Sequence, residues 1–229
     1  MTHTPDPTLD TRHRLLEAAL LTFAEKGFDG AGIREIAQRA QANSALVQYH
    51  FGGKEGLYQE TLRFVFDRGA CKIRDLSAPP APEDPQARSK AIAGVRAHIR
   101  SFVEDALACH GHAEGGPFGS PALMKAALVL WNREVQDPRP SVHAFLQEAV
   151  RPFIEHLVGC IRVLRPDLDE ERLLRMDMSI HAQVLYLHNH PELLRLVRGR
   201  PFGPEDAESL VEHFTTFSLR GLGVSEQGA

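Results

Sequence analysis

Apolar residues recur at intervals of three and four positions along most of the chain, and no stretch of useful length alternates apolar and polar residues. Between residues 11 and 26, for example, Leu16, Leu20 and Phe23 recur at spacings of four and three in a segment that also contains charged residues. This spacing is typical of amphipathic helices with one buried face, and Gly27 is a suitable residue to end the first of them. The pattern predicts an all-α fold of about nine helices, over residues 11–27, 33–40, 44–50, 54–76, 86–109, 121–136, 141–164, 169–189 and 204–222.

Four prolines interrupt the helical pattern within residues 77–85, SAPPAPEDP. Such a segment indicates a connection, because proline removes a backbone donor and cannot continue a helix. We therefore expect a small domain over residues 1–56, whose last helix continues to about residue 76, and a larger helical domain over residues 77–229. The glycine-rich residues 110–120 predict a mobile loop in the larger domain.

The first residues, MTHTPDPTLDTRHR, contain no apolar stretch behind a basic end. Secretory signals and membrane anchors both need such a stretch. The sequence therefore predicts a cytoplasmic protein that has no membrane partner.

Two short predicted helices, residues 33–40 and 44–50, are separated by a tight turn, with the small residue Ala37 in the first. Asn43 or Ser44 can cap the second helix by accepting a free backbone N–H. This arrangement indicates a helix-turn-helix, in which the first helix braces the second in the major groove of DNA. A helical hairpin within a core is the alternative, but it would leave an exposed Gln-Tyr-His run in the second helix unexplained.

The first four predicted helices share a set of residues at fixed separations without gaps: Phe23, Gly27, Ile36, Ala37, Tyr49, Phe51, Lys54, Glu55 and Leu57. With these residues, the segment 18–62 resembles the DNA-binding domain of the TetR family. The family pattern has Ile-Ala in the second helix, Tyr-x-His-Phe or Tyr-Tyr-His-Phe in the third, and Lys-Glu-x-Leu at the start of the fourth. The pattern from Asn43 to Tyr58 is similar to the CecR-like subgroup, and residues 131–160 weakly resemble the C-terminal domain of that subgroup.

The resemblance implies which residues meet double-stranded operator DNA. Arg34 approaches the duplex from the second helix, and Lys54 meets a phosphate at the start of the fourth. Gln48 can form two hydrogen bonds with adenine N6 and N7, whereas the basic side chains suit phosphate or guanine acceptors. The exposed surface of the third helix is expected to consist of Ser44, Ala45, Leu46, Gln48, Tyr49 and His50.

Three residues depart from the family pattern. Gly32 stands where a Ser or Thr cap is usual, Gln41 where a turn glycine is common, and Leu46 where a Thr often holds a phosphate. A positive φ at Gln41 would cost on the order of 1 kcal/mol. Leu46 suggests fewer backbone contacts, or an apolar contact with a thymine methyl group.

The formal net charge of −4 argues mildly against a nucleic-acid partner, because phosphate neutralisation provides most non-specific affinity. The small domain is not basic either. DNA binding must therefore depend on where its positive groups point. Residues 1–56 contain six basic residues (Arg12, Arg14, Lys26, Arg34, Arg39, Lys54) and seven acidic residues (Asp6, Asp10, Glu17, Glu25, Asp29, Glu35, Glu55).

The remaining chemistry-bearing residues indicate neither a cofactor nor an enzyme. Three cysteines, Cys71, Cys109 and Cys160, are widely separated, so neither a disulfide framework nor a zinc cage is expected. A redox role for Cys109 and Cys160 stays open. Two His-x-His pairs, at residues 110–112 and 188–190, lack the further ligands of a metal site. The chain contains no phosphate loop, Gly-x-Ser-x-Gly or His-Glu-x-x-His motif.

Polar residues lie on otherwise apolar stretches of the larger domain: Trp131 and Asn132 in one helix, His181 and Tyr186 in another. They are either satisfied polar groups in a core or the polar anchors of a ligand pocket. The family resemblance implies a pocket for a small, largely apolar effector that releases a repressor from its operator. It also implies a homodimer formed through residues 169–189 and 204–222, with the helix over residues 54–76 as the lever between the domains.

Overall fold

The computed structural model describes residues 7–70, 78–110 and 118–224. Regular structure in these ranges is helical throughout and includes no strand, which confirms the all-α class. The described residues contain ten α-helices, where the sequence pattern predicted about nine. They are α1 (Pro7–Gly30), α2 (Ile33–Arg39), α3 (Ala45–Phe51), α4 (Lys54–Val65), α5 (Ala87–His110), α6 (Pro121–Gln136), α7 (His143–Leu164), α8 (Glu170–Asn189), α9 (Pro191–Arg198) and α10 (Ala207–Gly221).

The helices form two compact units, which are described separately. Within the described ranges, the first unit consists of residues 7–70 and 118–147 and the second of residues 78–110 and 148–224. In the first unit, α6 packs along α1 and also contacts α4. The sequence pattern did not anticipate this packing, because it placed residues 121–136 in the larger domain. The domain limits at residues 56 and 77 stay a prediction.

Helix α1 ends its regular geometry at Gly27, as the sequence predicted. Gly27 has φ 71° and ψ 177°, a conformation open to glycine and strained for a side chain with a Cβ. The chain turns there and continues through Phe28 and Asp29 toward α2. A core of fully buried side chains holds α1, α2 and α4 together, including Leu20, Phe23, Ile36, Tyr58 and Leu62.

The predicted helix over residues 54–76 is α-helical only as far as Val65. A single π-helical turn, Phe66–Ala70, follows it. Residues 71–76 of the predicted helix and residues 111–117 of the predicted loop lie outside the described residues.

In the second unit, α5 packs against α8 and α10, and α7 contributes to the same core. The buried face of each helix follows the apolar spacing in the sequence, as in Val95, Ile99 and Val103 of α5. None of the helices in the described part of the chain is long and apolar enough to cross a membrane.

Candidate nucleic-acid interface

The turn between α2 and α3 is tight and is closed by backbone and side-chain hydrogen bonds. Gln41 has φ 52°, so it adopts the left-handed conformation considered for it from the sequence. The Ala42 N–H donates to the Ala37 carbonyl at 2.9 Å. Asn43 Oδ1 accepts from the Ala45 N–H at 2.9 Å, whereas the Ser44 side chain makes no capping hydrogen bond. Asn43 is therefore the residue that satisfies a free donor at the start of α3.

Helix α3 buries one face and exposes the other. Val47 and Phe51 are buried in the first unit, which fixes the rotation of the helix about its axis. The opposite face includes Tyr49, which is 77% exposed. Among the candidate recognition residues, Ser44, Ala45, Gln48 and Tyr49 are exposed, whereas Leu46 and His50 are half-buried.

Ion pairs neutralise most of the basic side chains of residues 1–56. Arg39 makes two hydrogen bonds of 2.9 Å with the Glu25 carboxylate, and this contact lowers the pKa of the Glu25 carboxyl. Similar pairs join Arg12 with Glu60, Arg14 with Asp10, and Lys26 with Glu35.

Two of the six basic residues have no carboxylate partner among the described residues. Arg34 is exposed on α2 and makes no ion pair there. Lys54 Nζ instead donates to the Asp29 carbonyl at 3.3 Å and lies 4.7 Å from the centroid of the Phe28 ring. These are the two cations that the family resemblance brings to the duplex. Both basic residues of this segment that have no carboxylate partner in the described part of the chain are thus residues of the candidate site, which answers the objection raised by the net charge.

Helix α6 supports the helix-turn-helix from behind. Arg133 donates to the Phe23 and Ala24 carbonyls of α1 at 2.8 and 3.1 Å, just before the break at Gly27. Glu134 is 1% exposed and accepts a hydrogen bond from the Tyr58 hydroxyl of α4. Burial, followed by the Glu134 hydrogen bond, raises the pKa of Tyr58 above its ordinary value. These contacts tie α6 to both helices that flank α2 and α3.

The four candidate effector residues divide between the two units. Trp131 stacks on Phe66 at 5.7 Å and Asn132 is half-buried, both in the first unit. In the second unit, Tyr186 is 49% exposed and its ring contacts His190. His181 instead points into a buried polar cluster, so the structure does not bring these two α8 residues into one site.

The buried cluster joins α5, α7 and α8. His98 Nε2 lies 3.1 Å from His181 Nε2, and His181 Nδ1 lies 3.2 Å from an Asp177 carboxylate oxygen. His156 stacks parallel to His98 at 5.8 Å and its Nε2 lies 3.3 Å from the Gly94 carbonyl. Burial, with His181 and His156 nearby, lowers the pKa of His98 to about 2. His98 is therefore neutral near pH 7.

Unsatisfied polar atoms distinguish this cluster from an ordinary core. Within the part of the chain that the structure describes, His98 Nδ1, His156 Nδ1 and Asp177 Oδ1 are buried without a hydrogen-bond partner. Each such group costs about 1–3 kcal/mol relative to a satisfied one. The cluster therefore has an unmet need for hydrogen-bond donors.

Metal binding and thiol redox chemistry find little support in the same ranges. No group of three or more His, Cys, Asp or Glu side chains is placed to hold a metal ion among residues 7–70, 78–110 and 118–224. Burial raises the pKa of the Cys160 thiol to about 11, which disfavours the reactive thiolate. Cys71 and the side chain of Cys109 lie outside the described residues.

Two known family models match this chain, one over its N-terminal helices and one over its C-terminal part. Residues 15–61 match the model of bacterial regulatory proteins of the tetR family. Residues 123–222 match the C-terminal domain of the HTH-type transcriptional dual regulator CecR. The chain belongs to the TetR family. Both the family and the subgroup inferred from the sequence are thus supported.

Curated relatives of this TetR-family chain are described as transcriptional regulators rather than enzymes. The HTH-type transcriptional regulator BetI of Paraburkholderia xenovorans (strain LB400) is 32% identical over 130 residues, 56% of each chain. BetI of Burkholderia thailandensis is 28% identical over 127 residues, again 56% of each chain. The match therefore spans about half the length of these relatives.

Solved structures extend the likeness of fold over nearly the whole chain. NalD of Pseudomonas aeruginosa, described as the secondary repressor of the MexAB-OprM multidrug efflux pump, has a TM-score of 0.54 and 22% identity, covering 97% of this chain and 100% of NalD. A TetR transcriptional regulator from Agrobacterium tumefaciens has a TM-score of 0.56 and 16% identity, covering 92% of each chain. At these identities the comparison establishes the fold alone.

Sequence reasoning missed several residues that the TetR-family fold brings together. Spacing offered a signal for the cluster, because His156 and Cys160, and Asp177 and His181, are each separated by one helical turn. No spacing could join His98 to them, since it lies on another helix. The same holds for the contacts of Arg133 with α1 and of Glu134 with Tyr58, which join residues more than 70 positions apart.

Proposed function

We propose that this chain is a sequence-specific DNA-binding transcriptional regulator, a homodimeric repressor that a small, largely apolar ligand releases from its operator. The proposal rests mainly on one observation. Helix α3 exposes Gln48 and Tyr49, while Arg34 and Lys54 are the cations of the helix-turn-helix without a carboxylate partner among the described residues. Operator DNA places the site of action in the cytoplasm.

In the proposed complex, α3 lies in the major groove and α2 crosses the DNA backbone. Gln48 donates to N7 and accepts from N6 of one adenine, which makes it the main base-reading residue. Arg34 and Lys54 bind phosphates and fix the orientation of the protein. Five further residues complete the contact surface: Ser44, Ala45, Leu46, Tyr49 and His50.

Two substitutions separate base reading from phosphate binding. Gln48→Ala should lose about 1–3 kcal/mol at one operator position and relax specificity there. Lys54→Ala should weaken binding to all sequences alike and reduce the slope of log K against log salt by about 1. Fluorescence anisotropy with operator and random duplexes measures both effects.

The variant Gln136→Ala, which alters an exposed glutamine at the end of α6, serves as the control. It should bind both duplexes as the wild type does. Equal losses on operator and random DNA for Gln48→Ala would refute its assignment to a base.

Exposed apolar side chains on α8 and α10 support the homodimer. Leu174, Met178 and Leu185 of α8 are spaced by four and seven residues, so they form one stripe, and each is at least 41% exposed. Phe217 of α10 is 61% exposed. A two-fold dimer would bury such a stripe and would present two recognition helices, which a specific operator requires.

Placing a charge in this stripe should separate the subunits. Met178→Glu should raise the dimer dissociation constant by at least about 100-fold, because the interface would bury two unpaired carboxylates. Light scattering at micromolar concentration measures the change in mass. Ala93→Glu, on an exposed position of α5, should leave the mass unchanged. A wild-type monomer at this concentration would rule out the proposed dimer.

The buried cluster of His98, His156, Asp177 and His181 supports ligand control. A ligand that is largely apolar and carries an N–H or O–H group could satisfy acceptors that have no partner among the described residues. Such a ligand acts only through unequal affinity for the DNA-competent and incompetent states. A coupling of about 1–3 kcal/mol would change operator affinity roughly 5- to 150-fold.

Ligand control is tested by screening small apolar molecules, with and without donors, for thermal stabilisation. Those that bind are then added to the operator complex, and His181→Leu should abolish their effect without weakening operator binding. A promoter fusion measures the direction of regulation in cells. If expression from the promoter falls when the gene for this protein is deleted, the protein activates that promoter, which contradicts repression.

A further inference from the structure

Phe28 and Asp29 form a corner between the break in α1 and the start of α2. We call these two residues the Phe28–Asp29 corner. The Phe28 ring packs edge-on against Tyr58 at 5.0 Å, which anchors the corner to α4. Lys54 contacts the corner twice, through the Asp29 carbonyl and the Phe28 ring. Both partners are neutral, so Lys54 remains a cation that an incoming phosphate can engage.

Arg139 contacts the same corner from a position 110 residues away in sequence. Its guanidinium donates to the two Asp29 carboxylate oxygens at 3.2 and 3.5 Å and lies 4.1 Å from the Phe28 ring centroid. The Arg139 backbone N–H donates to Glu134 at 3.0 Å. Since Glu134 also accepts from Tyr58, Arg139 is attached to the core behind the corner.

These contacts determine which partner Lys54 has. Arg139 donates to the side-chain carboxylate of Asp29, whereas Lys54 donates to the backbone carbonyl of the same residue. Without Arg139, the free carboxylate would compete with DNA phosphate for Lys54, and it would also repel the phosphate.

We propose that Arg139 is a positioning residue for DNA binding: it neutralises Asp29 and thereby keeps Lys54 available for a phosphate. The inference rests on the proposed function, in which Lys54 binds the DNA backbone. It adds a residue outside the helix-turn-helix, supplied by the segment that follows α6, to the determinants of operator affinity.

The test measures operator affinity at several salt concentrations for the full chain. The probe is a duplex selected by the wild-type protein from a random-sequence pool. Arg139→Gln should weaken binding about 10-fold and lower the salt slope by about 1, because Lys54 no longer displaces a counterion. Asp29→Asn alone should have little effect. The double variant Asp29→Asn/Arg139→Gln should regain most of the lost affinity and the wild-type slope.

Removal of the acid distinguishes this role from a purely structural one. If the Arg139–Asp29 bridge only stabilised the corner, Asp29→Asn would reproduce the loss and the double variant would not recover. If Arg139 itself bound phosphate, Arg139→Gln would still lower the slope in a Lys54→Gln background. Either result would overturn the inference.

Two controls complete the design. Arg162→Gln removes a comparable bidentate pair with Glu170 in the second unit and should leave operator binding unchanged. Circular dichroism verifies that each variant is folded. If Lys54→Gln binds the selected duplex more weakly but Arg139→Gln binds it as the wild type does, the inference is rejected and the proposed function is not. Failure of the wild type to select any duplex from the pool would reject the proposed function together with it.

Discussion

Replacing Glu134 by alanine should lower the free energy of unfolding by about 2–4 kcal/mol. The wild-type carboxylate is buried and accepts hydrogen bonds from the Tyr58 hydroxyl and the Arg139 backbone N–H. Alanine would leave both donors unsatisfied and would open a cavity between α4 and α6. Urea denaturation at one fixed protein concentration measures the loss.

Conservative variants identify the origin of this loss. Glu134→Gln keeps an acceptor of nearly the same shape, so it should cost clearly less than alanine. Tyr58→Phe removes one donor, and in that background the loss on Glu134→Ala should shrink, as expected for residues in direct contact. Additive losses from the two substitutions would show that the Tyr58–Glu134 hydrogen bond contributes nothing of its own.

Acid should destabilise the second unit through His98. The pKa of His98 is lowered to about 2 in the folded protein by burial and by the neighbouring His181 and His156, whereas an unfolded chain has its ordinary value of 6.5. Below pH 6.5 the unfolded state therefore binds a proton that the folded state does not. The contribution of His98 to the stability of the folded protein is therefore fully present above pH 6.5. It is lost as pH falls from there toward 2, at about 1.4 kcal/mol per pH unit.

Between pH 7 and pH 5, His98 should account for about 2 kcal/mol of lost stability. The His98→Leu variant should lack this part of the pH dependence, because leucine does not titrate. His156, His181 and Asp177 face His98 and remain in both proteins, so most of the difference between the two curves comes from His98. His143→Leu, which alters an exposed histidine of α7, should retain the wild-type slope. Parallel curves for wild type and His98→Leu would contradict the neutral, buried histidine.

Apolar periodicity predicted most helices because most of them bury one face, whereas α9, which it missed, has no fully buried residue. Pro191 also misled it: the proline was interpreted as a break, yet it occupies the first position of α9, where its missing N–H costs nothing. The helix-turn-helix was predictable because its signals are local in sequence. Its turn depends on local residues, such as Asn43 and Gln41, whose chemistry is visible in the sequence.

Long-range contacts between polar side chains could not be predicted in this way. The partners of Arg133 and Arg139 lie about a hundred residues away, and neither spacing nor composition indicates which carbonyl or carboxylate each will meet. The histidine cluster likewise draws on three helices. Periodicity indicates which face of a helix is buried, but not the rotation and depth at which two buried faces meet.

The ion pairs made by the basic side chains of residues 1–56 affect how the protein would search a genome. Because four of its six basic side chains pair with the protein's own acidic residues, this segment can displace few counterions from random DNA. Non-specific encounters would then be brief, and the search would proceed by many short visits rather than by long sliding. Since a genome offers about 10⁶–10⁹ competing sites, few molecules would be sequestered away from the operator. A small number of copies per cell would then suffice to keep the operator occupied.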